Sequence, residues 1–388
     1  MRKLGQWLFI ICFCLILLYP LFGKVVDEGI KLSGVSASKN VQELNYTNIM
    51  EGTFQTSLND WVDGNFPGRK MLIKIRSQAM YSLLNDSPNK NVQIGKDKYL
   101  YEPNYIRKEL AISVASDAKY YEKLITKLET LQELMAEQGK ELYIFITPNK
   151  AHFFKDKLPE TFLSLERDRK NDYERFAELL KSSKLHYFDS RVFLENYDGP
   201  QLNAPLFYAT GIHWSSSWGM SAAKALTEYI SETGKWNLST LKLTETTVDA
   251  PKHPDTDLYK SLNLLETPTG IQFYTASLSI VEEGDKPNVF FRGGSFMGQS
   301  LNGLIRSGMF GKDVHYENNY YFKDIYTSTK NLSSFTAYNE AEELPQLVAQ
   351  SDIFVLEVNE EKVTNMSFGF IDLLLEHPEW LVYPEEEG

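Results

Sequence analysis

The stretch Leu142-Tyr-Ile-Phe-Ile146 is a continuous apolar run, and Pro148 follows it closely. Such a run without polar alternation is typical of a strand that is covered on both faces of a parallel sheet. Between Asp117 and Gln138, apolar residues recur with a helical period, and Gly139 stands where such a helix would end. These patterns predict a helix followed by a buried strand.

The same alternation continues along the chain. Short apolar runs at residues 185–188, 288–291 and 353–358 predict further strands, and amphipathic helices are predicted at residues 173–180 and 220–230. Alternating helices and buried strands favour an α/β fold, in which a doubly wound parallel sheet is flanked by helices.

Two segments depart from this alternation. Residues of about 236–286 are polar and rich in threonine, and we interpret them as an insertion on the sheet. Apolar residues between 54 and 62, and again between 72 and 83, predict a helical pair that Phe66-Pro-Gly68 interrupts. We expect one domain over residues 51–383.

Composition excludes several classes of protein. The chain has 388 residues, 43% of them hydrophobic, so it can bury a large core. With 40 basic and 52 acidic residues, its net charge of −12 argues against binding of nucleic acid, which depends on clustered Lys and Arg. Both cysteines, Cys12 and Cys14, lie in the first apolar stretch, so thiol chemistry is excluded from the rest of the chain.

The N-terminal stretch is typical of membrane targeting. Residues 7–22 carry no charge, Arg2 and Lys3 precede them, and Lys24 follows. A cleaved signal peptide and an uncleaved anchor are both compatible with this pattern. We favour a single-pass anchor over residues 1–24 and a stalk over residues 25–50, and either alternative predicts that the remaining body is exported.

In open α/β sheets, ligands bind beyond the carboxyl ends of the strands. The residues there are 147–150, 189–191, 292–296 and 359–360. Ser295 is notable because two glycines and a predicted strand precede it and a helix-like run follows, as in a nucleophile elbow. The alternative interpretation is a Gly-Gly turn whose serine caps the helix.

A serine nucleophile needs a base, and histidine is the usual one. Among the six histidines, His213 stands out because it lies in an irregular segment, Thr210-Gly-Ile-His-Trp-Ser215, directly before a predicted helix. The other five have no distinctive local context. A histidine beside Trp214 could also simply pack against its ring, so local context alone leaves the role of His213 open.

Six short blocks occur in an order that resembles the alginate O-acetyltransferase family of AlgX and AlgJ. The resemblance spans residues of about 54–360. The blocks are Phe66-Pro-Gly-Arg69, Gly95-Lys-Asp-Lys-Tyr-Leu-Tyr101, Pro148-Asn-Lys150, Leu206-Phe-Tyr-Ala-Thr-Gly-Ile-His-Trp214, Gly294-Ser-Phe296 and Leu356-Glu-Val-Asn-Glu360.

The resemblance implies a circularly permuted SGNH-hydrolase fold and an O-acetyltransferase that modifies an exported polysaccharide through an acetyl-serine. It implies Ser295 as nucleophile and His213 as general base. A membrane-bound O-acyltransferase would be the donor partner, and no cofactor or metal is expected. We expect Gly294, Asn149, Lys150 and Trp214 to line the site or its oxyanion pocket.

The sequence departs from the family in two places. The family's Asp-x-His-Trp block has an aspartate that orients the histidine, whereas Gly211 stands at that position here. Asp189, Glu357 and Glu360 each follow or end a predicted strand and are candidate replacements, with none assigned. AlgX also carries a carbohydrate-binding module after its catalytic domain, and we expect no such module in the short segment after Glu360.

Without that module, a polymer would have to bind on the catalytic body, where exposed aromatic rings stack on sugars. Tyr316, Tyr320 and Tyr321 are candidate platforms. Two further functions stay open at this stage: an esterase that uses the same site with water as acceptor, and a non-catalytic polysaccharide-binding component, which the loss of the aspartate at position 211 would explain.

Overall fold

The computed structural model describes residues 2–35, 40–115, 117, 119–311, 315–318, 326–327, 336–337 and 340–383. Contacts within the chain group it into two units. One comprises residues 1–94 together with 257–270, and the other comprises residues 95–256 together with 271–388. The predicted domain of residues 51–383 therefore includes parts of both.

The α-helices are numbered in chain order. They are α1 Arg2–Val26, α2 Tyr46–Met50, α3 Thr53–Asn65, α4 Arg69–Ala79, α5 Pro103–Glu109, α6 Lys119–Glu137, α7 Lys150–Phe153, α8 Glu160–Leu163, α9 Asp172–Ser182, α10 Ser190–Glu195, α11 Ser216–Thr233, α12 Asp257–Ser261, α13 Met297–Ser307, α14 Glu340–Gln350 and α15 Phe370–Glu376.

The strands are numbered in the same way. They are β1 Gln93–Ile94, β2 Leu100–Tyr101, β3 Glu141–Thr147, β4 Tyr187–Asp189, β5 Thr240–Val248, β6 Phe273–Glu282, β7 Val289–Gly293, β8 His315–Asn318, β9 Tyr326–Thr327, β10 Thr336–Ala337 and β11 Ile353–Asn359.

The larger unit is built on a five-stranded parallel sheet with the order β4-β3-β11-β7-β8. Strands β3 and β11 pair along their whole lengths, from Ile353 opposite Glu141 to Asn359 opposite Thr147. Nearly every residue of β3, β7 and β11 is buried, as their continuous apolar runs predict. The carboxyl ends of these three central strands therefore meet at one edge of the sheet.

Helices cover both faces of this sheet, because successive strand residues point to opposite sides. Leu142, Ile144 and Ile146 belong to a core cluster with side chains of α6, α9 and α15. On the other face, the ring of Tyr143 contacts Tyr229 of α11. The predicted α/β fold with a parallel sheet flanked by helices is confirmed.

The structure differs from the sequence prediction in two elements of this unit. Strand β8 extends the sheet beside β7, although its sequence His-Tyr-Glu-Asn has no apolar run that would predict it. The predicted insertion contains a long antiparallel ribbon of β5 and β6, in which Leu241 to Val248 pair with Ile280 to Phe273. The ribbon contacts α11, and β6 also contacts α13.

The smaller unit contains α1 to α4 and α12. The predicted helical pair is present as α3 and α4, and a π-helical turn, Met80–Leu84, continues α4. Within this unit, Lys74 donates a hydrogen bond of 2.6 Å to the carbonyl oxygen of Leu264, and Asn263 exchanges hydrogen bonds with the backbone of Ser33. These bonds tie residues 257–270 to α4 and to the segment that follows α1.

Candidate active site

Ser295 lies in the short turn that joins β7 to α13, at the carboxyl edge of the sheet. The turn is closed by hydrogen bonds from Met297 N to Gly294 O and from Gly298 N to Ser295 O, at 3.3 and 3.2 Å. The serine is half-buried, whereas Phe296 and Met297 beside it are buried. The hydroxyl is thus held on a rigid turn and stays within reach of a small substrate.

The glycines before Ser295 provide room for close packing. A Cβ on Gly293 would lie 2.5 Å from Cβ of Glu357 on the neighbouring strand β11. Neither Gly293 nor Gly294 has a positive φ, so a left-handed turn is not what requires them. Gly293 instead lets β7 approach β11 where the Glu357 side chain passes beneath the serine turn.

His213 lies directly against the serine. Its Nε2 is 2.8 Å from Ser295 Oγ, and its ring packs on Phe296 with ring centroids 4.6 Å apart. This is the distance that proton transfer between a hydroxyl and a base requires. Residues 82 positions apart in the sequence are therefore brought into the arrangement of a nucleophile and its base.

The loop that carries His213 is fixed by a buried ammonium group. Nζ of Lys150 donates hydrogen bonds to the carbonyl oxygens of Tyr208, Ala209 and Gly211, at 2.8, 3.1 and 2.6 Å, and to that of Leu100 at 2.8 Å. Its side chain is completely buried. Lys150 therefore holds the loop in shape from behind and does not line the site, contrary to our expectation.

Asn149 and Trp214 are also supporting residues. Asn149 caps α7 by accepting a hydrogen bond from Ala151 N, and its amide donates to Tyr105 O at 3.0 Å. Trp214 is fully buried, and its indole N–H donates to Phe296 O at 3.0 Å, so it links the histidine loop to the serine turn. The sequence placed both near the site, but their side chains form hydrogen bonds with backbone groups in the interior.

Gly211, which replaces the family's aspartate, sits against another segment. A Cβ at this position would lie 2.9 Å from Pro254 O and 3.0 Å from Asp255 O. The hydroxyl of Thr210 donates a hydrogen bond of 2.7 Å to Asp255 O and fastens the two segments together. The backbone of residues 254 and 255 thus fills the space that a side chain at position 211 would need.

Of the three candidate acids, Glu357 is the one that lines the pocket containing Ser295. Its Oε2 accepts a hydrogen bond of 2.6 Å from Gly294 N, and Thr147 Oγ1 hydrogen-bonds to its Oε1. Burial raises the pKa of Glu357 to about 7, against the opposing effect of these two hydrogen bonds and of the nearby His213. The N–H of Gly294 therefore points at Glu357, whereas we had expected it to face an oxyanion.

Asp189 and Glu360 take part in other contacts. Asp189 caps α10 through hydrogen bonds from Arg191 N and Val192 N, and it accepts a hydrogen bond from the hydroxyl of Tyr173. Glu360 pairs with Arg191 at 3.1 Å. Burial raises the pKa of both carboxyls. These contacts give both acids roles in holding the interior together.

A pocket opens beside Ser295 at the ends of β7 and β11. Asn365 is the exposed residue of its rim, and the side chain of Lys362 pairs with Glu361 at 2.8 Å. The complete lining consists of Tyr105, Gly294, Ser295, Phe296, Glu357, Val358, Asn359, Lys362, Asn365, Met366 and Ser367. Lys362, Asn365, Met366 and Ser367 carried no sequence signal, because they lie in an irregular 3-10 segment, Glu360–Gly369.

Two further predictions concern features beyond this pocket. Tyr320, Tyr321 and the side chain of Tyr316 lie outside the described residues. Among the residues that the structure describes, no group of three or more His, Cys, Asp or Glu side chains is arranged to hold a metal ion.

A sequence profile of the SGNH hydrolase-like domain of the acetyltransferase AlgX matches residues 92–296, which is more than half of the chain and includes His213 and Ser295. No curated protein matches the sequence.

Solved structures with similar folds share little sequence with this chain. The O-acetyltransferase domain of Pseudomonas putida AlgJ is 18% identical, with 75% of this chain and 97% of that domain covered and a TM-score of 0.46. Pseudomonas aeruginosa AlgX is 14% identical, with 72% and 67% covered and a TM-score of 0.43. Bacillus cereus PatB1 with a sulfonyl adduct is 10% identical, with 70% and 97% covered and a TM-score of 0.42. On the profile match, the chain belongs to the family of AlgX-type acetyltransferases with an SGNH hydrolase-like domain.

Proposed function

We propose that this protein is a membrane-anchored, extracytoplasmic O-acetyltransferase that transfers acetyl groups through an acetyl-serine at Ser295 to hydroxyls of an exported or cell-surface polysaccharide. The observation that carries this proposal is the distance of 2.8 Å between Ser295 Oγ and His213 Nε2, in a chain that belongs to an acetyltransferase family.

In the first half-reaction, Ser295 Oγ attacks the acetyl carbonyl carbon of the donor while His213 Nε2 takes the hydroxyl proton. The bond between the carbonyl carbon and the donor then breaks, and the donor leaves with the proton from His213. In the second half-reaction, His213 takes a proton from a sugar hydroxyl, whose oxygen attacks the acetyl-serine. Collapse of that intermediate returns the proton to Ser295 and releases the sugar ester.

Each half-reaction passes through a tetrahedral oxyanion that needs hydrogen-bond donors. The N–H of Gly294 is engaged by Glu357, so we assign this role to the backbone N–H of Ser295, just before α13. The positive end of the α13 dipole supports negative charge at the same place.

The N-terminal helix supports the proposed location. Helix α1 contains an apolar segment from Leu4 to Val26, in which an 18-residue stretch has a mean hydropathy of 2.4, and most of its large side chains are exposed. At about 1.5 Å per residue, a helix of this length exceeds a hydrocarbon core of about 30 Å. We propose that it anchors the protein beside a membrane-bound O-acyltransferase that supplies acetyl groups. Recovery of an exported protein that starts after residue 24 would instead mean that the segment is a cleaved signal.

Intact mass of the detergent-solubilised full chain, after incubation with an activated acetyl ester, tests the central step. The wild type is expected to gain the mass of one acetyl group. Ser295→Ala is expected to gain none, and His213→Ala is expected to react about a hundredfold or more slowly. Ser307→Ala, at the far end of α13 and outside the pocket, is the matched control and should react as the wild type does.

The fate of the adduct separates the alternatives. Transfer to a polysaccharide hydroxyl that exceeds loss to water supports the acetyltransferase, whereas loss to water alone indicates an esterase. A folded wild-type protein that forms no adduct with any of several donors contradicts both enzymes and favours a polysaccharide-binding component.

A further inference from the structure

Glu357 is a buried carboxyl group that the proposed reaction does not yet use. It lies near the end of the central strand β11, is 2% exposed, and lines the pocket together with Ser295. Burial of a carboxyl group in the interior disfavours its charged form and costs stability. We therefore expect Glu357 to have a function in the reaction.

The two oxygens of Glu357 have different kinds of partner. The amide of Gly294 can only donate, so Oε2 is an acceptor whether the carboxyl is ionised or not. The hydroxyl of Thr147 can either donate to Oε1 or accept from it. The side chain can therefore gain or lose a proton by reversing one hydrogen bond, while its hold on the serine turn is kept.

The charge of Glu357 is coupled to that of His213. Oε2 of Glu357 binds Gly294 N at 2.6 Å, and the next residue, Ser295, has its Oγ 2.8 Å from His213 Nε2. The nearby His213 lowers the pKa of Glu357, although burial, the larger effect, raises it to about 7. When Ser295 attacks, its proton passes to His213 and creates a positive charge. An ionised Glu357 stabilises that charge. Lys362, which also lines the pocket, has its charge paired with that of Glu361.

We propose that Glu357, in its carboxylate form, is a positioning residue for acylation: it tethers the nucleophile turn through Gly294 N–H and stabilises the protonated His213 that forms as Ser295 attacks. This inference rests on the proposed acetyl-serine chemistry. It adds the requirement that Glu357 be ionised, which Ser295 and His213 alone do not predict.

Glu357→Gln separates charge from geometry. The glutamine carbonyl can accept from Gly294 N, and its amide can donate to Thr147 Oγ1, so both hydrogen bonds survive while the charge is lost. The experiment measures the rate of acetyl-Ser295 formation in the full chain, followed by intact mass from about pH 5 to about pH 9. We expect Glu357→Gln to be about tenfold to a hundredfold slower above pH 7, so that the ratio of the wild-type rate to the variant rate rises near pH 7. The ratio removes any pH dependence that the two proteins share.

Two variants serve as controls. Glu360→Gln neutralises another buried carboxyl, directly after the same strand, and the ratio of its rate to that of Glu357→Gln should still rise near pH 7. Thr147→Val removes the hydroxyl that stabilises the carboxylate, so the rise in the ratio of its rate to that of Glu357→Gln should move to higher pH. Thr147→Val keeps the inference testable if Glu357→Gln fails to fold.

An infrared titration reports the proton on Glu357 independently of activity. A carboxylic acid C=O band should appear as the pH falls through about 7 and be missing in Glu357→Gln. An unchanged rate and pH profile in Glu357→Gln, with Thr147→Val also unchanged, would overturn the inference while acetylation of the wild type upholds the proposed function. A wild type that forms no adduct would overturn both.

Discussion

At the scale of single residues, Gly211 shows how this chain departs from its family without losing the arrangement of the site. His213 still lies 2.8 Å from Ser295, although the aspartate two positions before it is missing. The carbonyl groups of Pro254 and Asp255 occupy the space beside Gly211, and Lys150 binds the carbonyl of Gly211 itself. The loop is thus shaped by neighbours that leave no room for the family's side chain.

Restoring the aspartate should therefore harm the protein. In Gly211→Asp, Cβ would lie 2.9 to 3.0 Å from two backbone carbonyl oxygens, and a buried negative charge would face them. We expect a loss of about 1–3 kcal/mol in the free energy of unfolding, as in other overpacked sites, and slower acetylation of Ser295. Urea unfolding and the mass assay measure these two effects.

Gly211→Ala separates volume from charge, and it should cost less than the aspartate. Faster acetylation in a Gly211→Asp protein of unchanged stability would contradict this account, because it would mean that residues 254 and 255 move aside and let the family's arrangement form.

At the scale of elements, the approach of β7 to β11 places the serine. Gly293 lies beside Glu357 without room for a side chain, and the turn that follows is held by the bond from Gly294 N to the same carboxyl. Strand β11 therefore holds the serine turn in position through Glu357.

A methyl group at Gly293 should push the two strands apart. We expect Gly293→Ala to lower the free energy of unfolding by about 1–3 kcal/mol and to slow acetylation of Ser295, because its Cβ would meet Cβ and Oε2 of Glu357 at 2.5 and 2.6 Å. Gly298→Ala, five residues later in α13, is the matched control. No heavy atom lies within 4 Å of its Cβ position, so alanine should stabilise the helix by up to about 1 kcal/mol.

Chemical denaturation of both variants checks this prediction. Equal stability changes of the same sign would show that the packing of β7 against β11 is not what requires glycine at position 293.

The sequence was sufficient for some elements and not for others. Apolar runs located β3, β7 and β11, because strands buried on both faces have no polar alternation. Strand β8 has a polar sequence, so nothing in its pattern predicted it. Family resemblance selected His213 and Ser295. It could not show that Lys150 binds four carbonyl groups, because nothing in the sequence distinguishes a buried lysine from an exposed one.

At the scale of the whole molecule, the site is maintained at a cost in stability. Glu357 has a pKa of about 7 when folded and about 4.5 when exposed, so the folded protein binds more protons than the unfolded chain between these two values. Asp189 and Glu360 shift in the same direction, also because of burial. Glu357 differs from these two acids because it lines the pocket that contains Ser295, so the retention of its carboxyl group against this cost fits a role in the reaction.

The stability of the wild type relative to Glu357→Gln should therefore depend on pH. The contribution of Glu357 is fully present below about pH 4.5 and is lost as the pH rises through about 7, beyond which the difference between the two proteins becomes constant. The expected loss is about 3 kcal/mol, since each unit of pKa shift corresponds to about 1.4 kcal/mol. Urea unfolding of both proteins at several pH values measures it, and Ser307→Ala, which removes no ionisable group, should run parallel to the wild type. A difference that stays constant from about pH 5 to about pH 8 would show that Glu357 titrates alike in the folded and unfolded chain. The carboxylate would then not destabilise the folded protein, and the argument that it is kept for the reaction would fail.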